Sequence, residues 1–154
     1  GTITAATSSS ISDGAAAVIL SRKSAADQNG LTPVATIVGM EAHAQEPAKF
    51  TTAPVGAITK LLEKTGWSVD DVDLWEVNEA FACVAMFAMR DIGIPHEKIN
   101  VNGGGTALGH PIGASGTRII VTLLNALRQQ GKKRGIASLC IGGGEATAVA
   151  FELA

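Results

Sequence analysis

Three residues of this 154-residue chain combine reactive side chains with unusual surroundings: His110, Cys140 and Asn78. His110 stands between Gly109 and Pro111 in the stretch NGGGTALGHPIGASG (102–116), where glycines at 103, 104, 105, 109, 113 and 116 leave the backbone bare. Glycine costs entropy to order, so this density marks a place where something must approach the backbone closely. Pro111 steers His110 away from helical backbone and holds its imidazole in one pose. A fixed imidazole can act as a general base or donate a hydrogen bond to a developing oxyanion. Its bland alternative is a histidine that satisfies backbone groups in a tight turn.

Cys140 precedes Gly142, Gly143 and Gly144 in LCIGGGEA. A cysteine ending a strand is commonly an inert small apolar residue. Here the following N–H groups can converge on an anion, and a thiol in such a place becomes a usable acid, base or nucleophile. Asn78 reads either as a helix N-cap or as an amide aimed at a ligand or a water. Cys83, within FACVAMFAM, reads as a helix core residue. From these residues alone the expected chemistry is acyl transfer, with Cys140 as nucleophile or base, His110 as its partner and the glycine loops as oxyanion donors. One gap remains in that scheme, since a single thiol leaves nothing obvious to handle a second substrate.

Other chemistries are excluded by pattern. GGGTALG does not open a first βαβ unit with an acidic partner downstream, and GHPIGASGT lacks the lysine of a phosphate-binding P-loop. The net charge is −2, so no basic footprint for nucleic acid exists. Lys132, Lys133 and Arg134 follow Gly131 at an expected helix end, where cations favour the helix dipole. No apolar run is long enough to span a bilayer, and no membrane association is expected. Two cysteines are too few for a disulfide scaffold or a structural zinc site, which points to a reducing, cytoplasmic location. Only 17% of residues are charged and 46% are apolar, a balance that implies a large core or a surface facing another chain or domain.

The elements that must position these residues follow from periodicity. Strands are expected at 14–21, 32–42, 71–77, 98–102, 134–142 and 146–153, the last two forming a hairpin. Helices are expected at 23–30, 53–66, 78–93 with Asn78 as N-cap, and 116–131. Val55, Ile58, Leu61 and Leu62 fall on one face of the second helix, and Ile119, Ile120, Leu123, Leu124 and Leu127 on one face of the last. Residues 1–154 then make a single α/β domain whose mixed, mostly parallel five-stranded sheet carries helices on both faces. In such sheets ligands bind beyond the carboxyl ends of strands, and Asn78, His110 and Cys140 each lie past or at such an end.

VNEAFA (77–82), NGGGTALGHPIGASG (102–116) and CIGGGEATAVAFE (140–152), in this order and spacing, resemble the thiolase family of acetyl-CoA acetyltransferases and 3-ketoacyl-CoA thiolases. TITAATSSSISDGAAAV (2–18) is similar to the segment by which that family enters its C-terminal half. The resemblance runs along essentially the whole chain and implies a thiolase-like C-terminal half, with the N-terminal half, its nucleophilic cysteine and the loop domain absent. It implies that Asn78 holds a water of a first oxyanion hole and that His110 supplies the other donor. Cys140 becomes the acid/base cysteine, and Gly142 gives an N–H to a second oxyanion hole. It further implies that Ser9 hydrogen-bonds the pantetheine arm, that Ala80 and Phe81 flank the arm, and that Phe50 lies near the acyl pocket. The substrate would be a coenzyme A thioester with no covalently bound cofactor, and the complete protein a homodimer or homotetramer. The isolated chain would be inactive. Ala6 and Thr7 depart from the Gly-Asn that many members carry before Ser8, and Ser10 stands where many have Gly or Gln. A ketoacyl synthase is disfavoured because such enzymes tend to place a second histidine where this chain has Asn78. A non-catalytic CoA- or lipid-binding module is the remaining alternative.

Overall fold

The structure, a computed structural model, describes residues 1–154. Its framework is a four-stranded sheet in the order β1-β4-β3-β2, formed by β1 (Ala35–Ala44), β2 (Leu74–Val77), β3 (Arg134–Cys140) and β4 (Glu145–Leu153). β3 and β4 form the expected hairpin, β4 pairs antiparallel with β1, and β2 pairs parallel with β3. The α/β class therefore stands, with helices on both faces. The sheet has four strands rather than five, and only one of its three pairings is parallel.

Of the six strand segments expected from the sequence, two are not in the sheet. Residues 14–21 pair with nothing, and Ile19 and Leu20 are 94% and 75% exposed. The apolar run is there, but this chain offers no neighbouring strand edge to complete its hydrogen bonds. The segment 98–102 makes a single bridge, between Ile99 and Trp75. Asn100 then turns into the left-handed region at φ 48°, which asparagine tolerates better than most residues. Its side-chain amide accepts from the Val77 N–H and donates to the Val77 carbonyl, both at 2.9 Å. One side chain thus replaces the backbone ladder that a further strand would have supplied.

Helices α1 (Lys23–Gln28), α2 (Ala53–Thr65), α3 (Ala82–Ile92), α4 (Gly105–Leu108) and α5 (Ile112–Gln130) complete the fold. α2, α3 and α5 each stop on a left-handed glycine, Gly66, Gly93 and Gly131, the usual way to satisfy the last carbonyls. α2 and α3 cover one face of the sheet, where Ile58, Leu61, Trp75, Val77 and Ile136 are fully buried. α5 covers the other, placing Ile119, Leu123 and Leu127 against Leu74, Ala137 and Phe151. A buried leucine contributes roughly 2 kcal/mol, so both apolar stripes read from the sequence are the anchors of their helices. Gly135 permits the close approach of α5, since a Cβ there would lie 2.8 Å from Leu123. No helix is long and apolar enough to cross a membrane.

α3 begins at Ala82, with Phe81 in extended backbone as its cap, so Asn78 is not the N-cap that the sequence suggested. The reason is tertiary. Phe81 bridges Ser8, and Ala80 accepts from both the Ser9 N–H and the Ser9 hydroxyl. With the Ala80 N–H turned back onto the Asn78 carbonyl at 3.1 Å, these contacts delay the helix until after Phe81.

Candidate active site

β2 ends at Val77, and the next residue, Asn78, still donates its N–H to Ser138 of β3 at 2.9 Å. This extension fixes the Asn78 backbone at the carboxyl end of the sheet. Its side chain is buried, with Nδ2 lying 3.3 Å from Nε2 of His110 and Oδ1 finding no partner in the chain. His110 is held from two further directions. Its N–H donates to the Ser10 carbonyl at 3.1 Å, and its Nδ1 lies 2.5 Å from the hydroxyl of Ser115, a fully buried residue on the first turn of α5.

The single proton of Ser115 is within reach of two acceptors, Nδ1 of His110 and the Pro111 carbonyl at 3.1 Å. Given to Pro111, it leaves the ring proton on Nδ1, and Nε2 accepts from Asn78. Given to Nδ1, it leaves the ring proton on Nε2, where it can be donated outward. Burial, with the Arg118 guanidinium adding to it, holds His110 below the ordinary imidazole value. The ring is therefore neutral near pH 7, and the choice between these tautomers is available to it.

Cys140 is the last residue of β3. It is buried, and that burial pushes its thiol above the ordinary cysteine range, with the nearby Cys83 adding to the effect. It is thus a thiol at neutral pH and a ready proton donor. The hairpin turn follows at once, closed by the Ile141 N–H on the Glu145 carbonyl at 2.7 Å and the Gly144 N–H on the Ile141 carbonyl at 3.1 Å. Between them Gly142 is exposed, and its N–H has no partner within the chain.

One cleft of about 400 Å³ gathers Ser9, Phe50, Ala80, Phe81, His110, Cys140 and Gly142. Seven of the eight expected site residues therefore line a single space, and the eighth, Asn78, stands behind His110 within contact distance. Phe50 and Phe81 meet edge to face with centroids 6.2 Å apart, giving the cleft an apolar wall. The parity of β3 sends Cys140 toward the α2–α3 face, while Asn78 reaches His110 beside the start of α5. The cleft thus lies across the end of the sheet and draws on both faces. Cys83 is half-buried on the first turn of α3 and does not line it.

Sequence reasoning missed three supporting residues. Ser115 sets the His110 tautomer. Asn100 ties the end of β2. Glu79 accepts from Asn100 Nδ2 at 2.9 Å, from the Thr106 N–H at 3.2 Å and from the Thr106 hydroxyl at 2.5 Å. This last residue is also part of what approaches the backbone closely at the glycine run. A Cβ on Gly104 would strike the Glu79 carboxylate, one on Gly105 would lie 2.8 Å from the Glu79 carbonyl, and one on Gly109 would strike Ser12. These glycines admit the chain's own segments rather than a ligand. A signal was available in that Glu79 adjoins Asn78 and Ser115 sits one helical turn past His110, but their pairing is not local. No cluster of three or more His, Cys, Asp or Glu side chains is disposed to hold a metal ion.

Known proteins share this sequence pattern and fold. The family model of the thiolase C-terminal domain matches residues 31–153. The chain is 51% identical over 152 residues to the acetyl-CoA acetyltransferase of Chromobacterium violaceum, covering 99% of this chain and 39% of that protein. It is 47% identical to the cytosolic acetyl-CoA acetyltransferase of Mus musculus, again covering 99% of this chain and 38% of the relative. Among solved structures, the acetyl-CoA acetyltransferase of Bacillus anthracis superposes with a TM-score of 0.97 at 43% identity, over 100% of this chain and 39% of the other. The Acat5 thiolase of Ascaris suum in complex with coenzyme A superposes with a TM-score of 0.91 at 36% identity, over 100% of this chain and 40% of the other. The chain spans about two-fifths of the length of the curated relatives it matches. It belongs to the thiolase family and carries that family's C-terminal domain.

Proposed function

We propose that this chain is the C-terminal catalytic half of an acetyl-CoA acetyltransferase, which condenses two acetyl-CoA molecules or cleaves a 3-ketoacyl-CoA with coenzyme A. The observation that carries the reading is the single cleft shared by His110, Cys140 and the unpartnered N–H of Gly142. A thioester carbonyl directed at His110 finds a donor in Nε2–H, with Asn78 able to hold a water as the second. As Cys140, deprotonated to its thiolate, takes a proton from the thioester methyl and becomes the thiol, the C–H electron pair passes into an enolate whose oxygen rests on those donors. The enolate carbon then attacks an acetyl group carried by a nucleophilic cysteine of the N-terminal half. The new oxyanion is received at the Gly142 N–H, and its collapse breaks the C–S bond and expels the nucleophilic cysteine as its thiolate. In thiolysis the same thiol returns its proton to the departing carbon, the role for which its raised pKa suits it.

Substrate entry follows the same lining. Ser9, Ala80 and Phe81 form the wall along which a pantetheine arm would lie, and Phe50 closes the acyl end. The coenzyme A complex of the Ascaris relative supports this ligand class. The apolar segment 14–21 is the surface on which the remainder of such a protein would pack. The match to the C-terminal family model begins only at residue 31, which agrees with that division.

Thiolysis of acetoacetyl-CoA by free coenzyme A tests the reading. A complete protein bearing this half is expected to turn over, and its Cys140→Ala variant to lose about 10²–10⁴-fold. The 154-residue chain alone is expected to show no turnover. Turnover by the isolated chain would overturn the assignment of the nucleophile to the other half. Binding of acetyl-CoA without turnover by the complete protein would favour a binding module instead.

A further inference from the structure

We propose that the partly buried Arg118 and the buried Glu76 form a positioning pair that fixes the His110–Asn78 contact, and that the Arg118 charge acts on His110. β2 turns Glu76 and Asn78, two residues apart, toward the same face of the sheet, beneath α5. α5 answers with Ser115 and Arg118, three residues apart on its own inner face. Ser115 holds His110, and Arg118 Nη1 reaches Glu76 Oε2 at 3.5 Å. Two polar links therefore join the start of α5 to the end of β2, one through the site and one just behind it.

The second link is costly where it stands. Glu76 is 1% exposed, and its Oε1, the Nη2 of Arg118 and the Oδ1 of Asn78 are all buried without a partner in the chain. Packing alone would be served better by apolar residues of the same size. The pair is therefore placed for something other than stability. Burial, with Glu79 adding and Arg118 opposing, pushes Glu76 up to about 7, and Arg118 acts on His110 as well. The charged group that acts on His110 is Arg118 on α5, and from β3 the Cys140 thiol shares its cleft. Arg118 is partly buried and pairs with the fully buried Glu76 on the α5 side. The guanidinium disfavours the imidazolium.

The consequence for turnover rests on the thiolase reading, whereas the consequence for His110 does not. The test is therefore NMR titration of the histidine ring in this chain, with His110 assigned through a His110→Asn variant. Arg118→Gln is expected to move the His110 midpoint upward, and Arg118→Lys to restore most of the wild-type position. A purely structural pair would not make the midpoint follow the charge at position 118. In the complete protein, Arg118→Gln is expected to lower kcat on the order of 10²-fold with a smaller change in KM, as misplacement of a reacting group does. If either variant fails to fold by circular dichroism, Glu76 and His110 of the wild-type chain are followed by carbon-detected titration, where mutual perturbation is expected. Folded variants with an unmoved His110, or independent titrations in the wild type, would overturn the proposal. A shifted His110 without any acetoacetyl-CoA cleavage by the complete protein would refute the thiolase reading alone.

Discussion

Beneath α2 and α3 the sheet buries Trp75, Val77, Ile136, Ala146 and Ala148, and the buried polar side chain on that side, Ser138, is satisfied by the Thr147 carbonyl at 2.8 Å. Beneath α5 it buries Leu74, Ala137 and Phe151 together with Glu76, and at the mouth of that face lie Asn78 and Ser115. The first face is largely apolar, although it also carries Cys140 and the unpartnered Nε1 of Trp75. The second trades apolar burial for three polar side chains, two of which retain unpartnered atoms. Such groups oppose folding unless they are paired. Glu76 Oε1, Asn78 Oδ1 and Arg118 Nη2 gather on the α5 face behind the cleft, so this face gives up more stability to orient the site than the other does.

That contrast can be broken most sharply from the apolar side. Trp75→Ala empties a fully buried site and is expected to cost about 3–5 kcal/mol, read by chemical denaturation. The His110 tautomer, read by ¹⁵N chemical shifts before unfolding, should remain unchanged. A moved tautomer would mean that the two faces are not independent.

The polar face should reveal itself through pH. Folding raises the Glu76 pKa to about 7 from 4.5, so the native state binds the proton more tightly than the unfolded chain. That contribution is full below about 4.5 and is lost as the pH rises through about 7. It is worth about 3 kcal/mol at most. Stability measured across this window should fall with pH, and Glu76→Gln should flatten the fall. An equal slope in both proteins would remove Glu76 from the account. The smallest effect belongs to the contact between α5 and β3. Gly135→Ala forces Leu123 to shift and is expected to cost about 1–3 kcal/mol, with a lowered thermal midpoint as the readout.

The same division governs what could be read from the sequence. The stripes of α2 and α5 were legible because the period of a helix is local, and the buried Ile58, Leu61, Leu123 and Leu127 agree with it. The run 14–21 misled because an apolar segment does not reveal whether its partner lies in the same chain. The stretch 98–102 misled because the Asn100 amide takes the place of a ladder. Residues expected at the cleft were legible as motifs, and seven of them line it together. Ser115, Glu79 and the Glu76–Arg118 pair were not, since each acquires its meaning only from a residue on another element.

The threading of residues 8–12 between Ala80 and His110 has a kinetic consequence. Ser9 reaches Ala80 across 71 positions of chain, and Ser10 meets His110 across a still longer span. The β3–β4 hairpin, in contrast, closes over a short turn. Long loops must lose their entropy before such contacts reward it. The hairpin and the helices come early in the order this sets, and both the pairing of β1 with β4 and the N-terminal strap come later. The cleft is complete only once that strap lies across the end of the sheet.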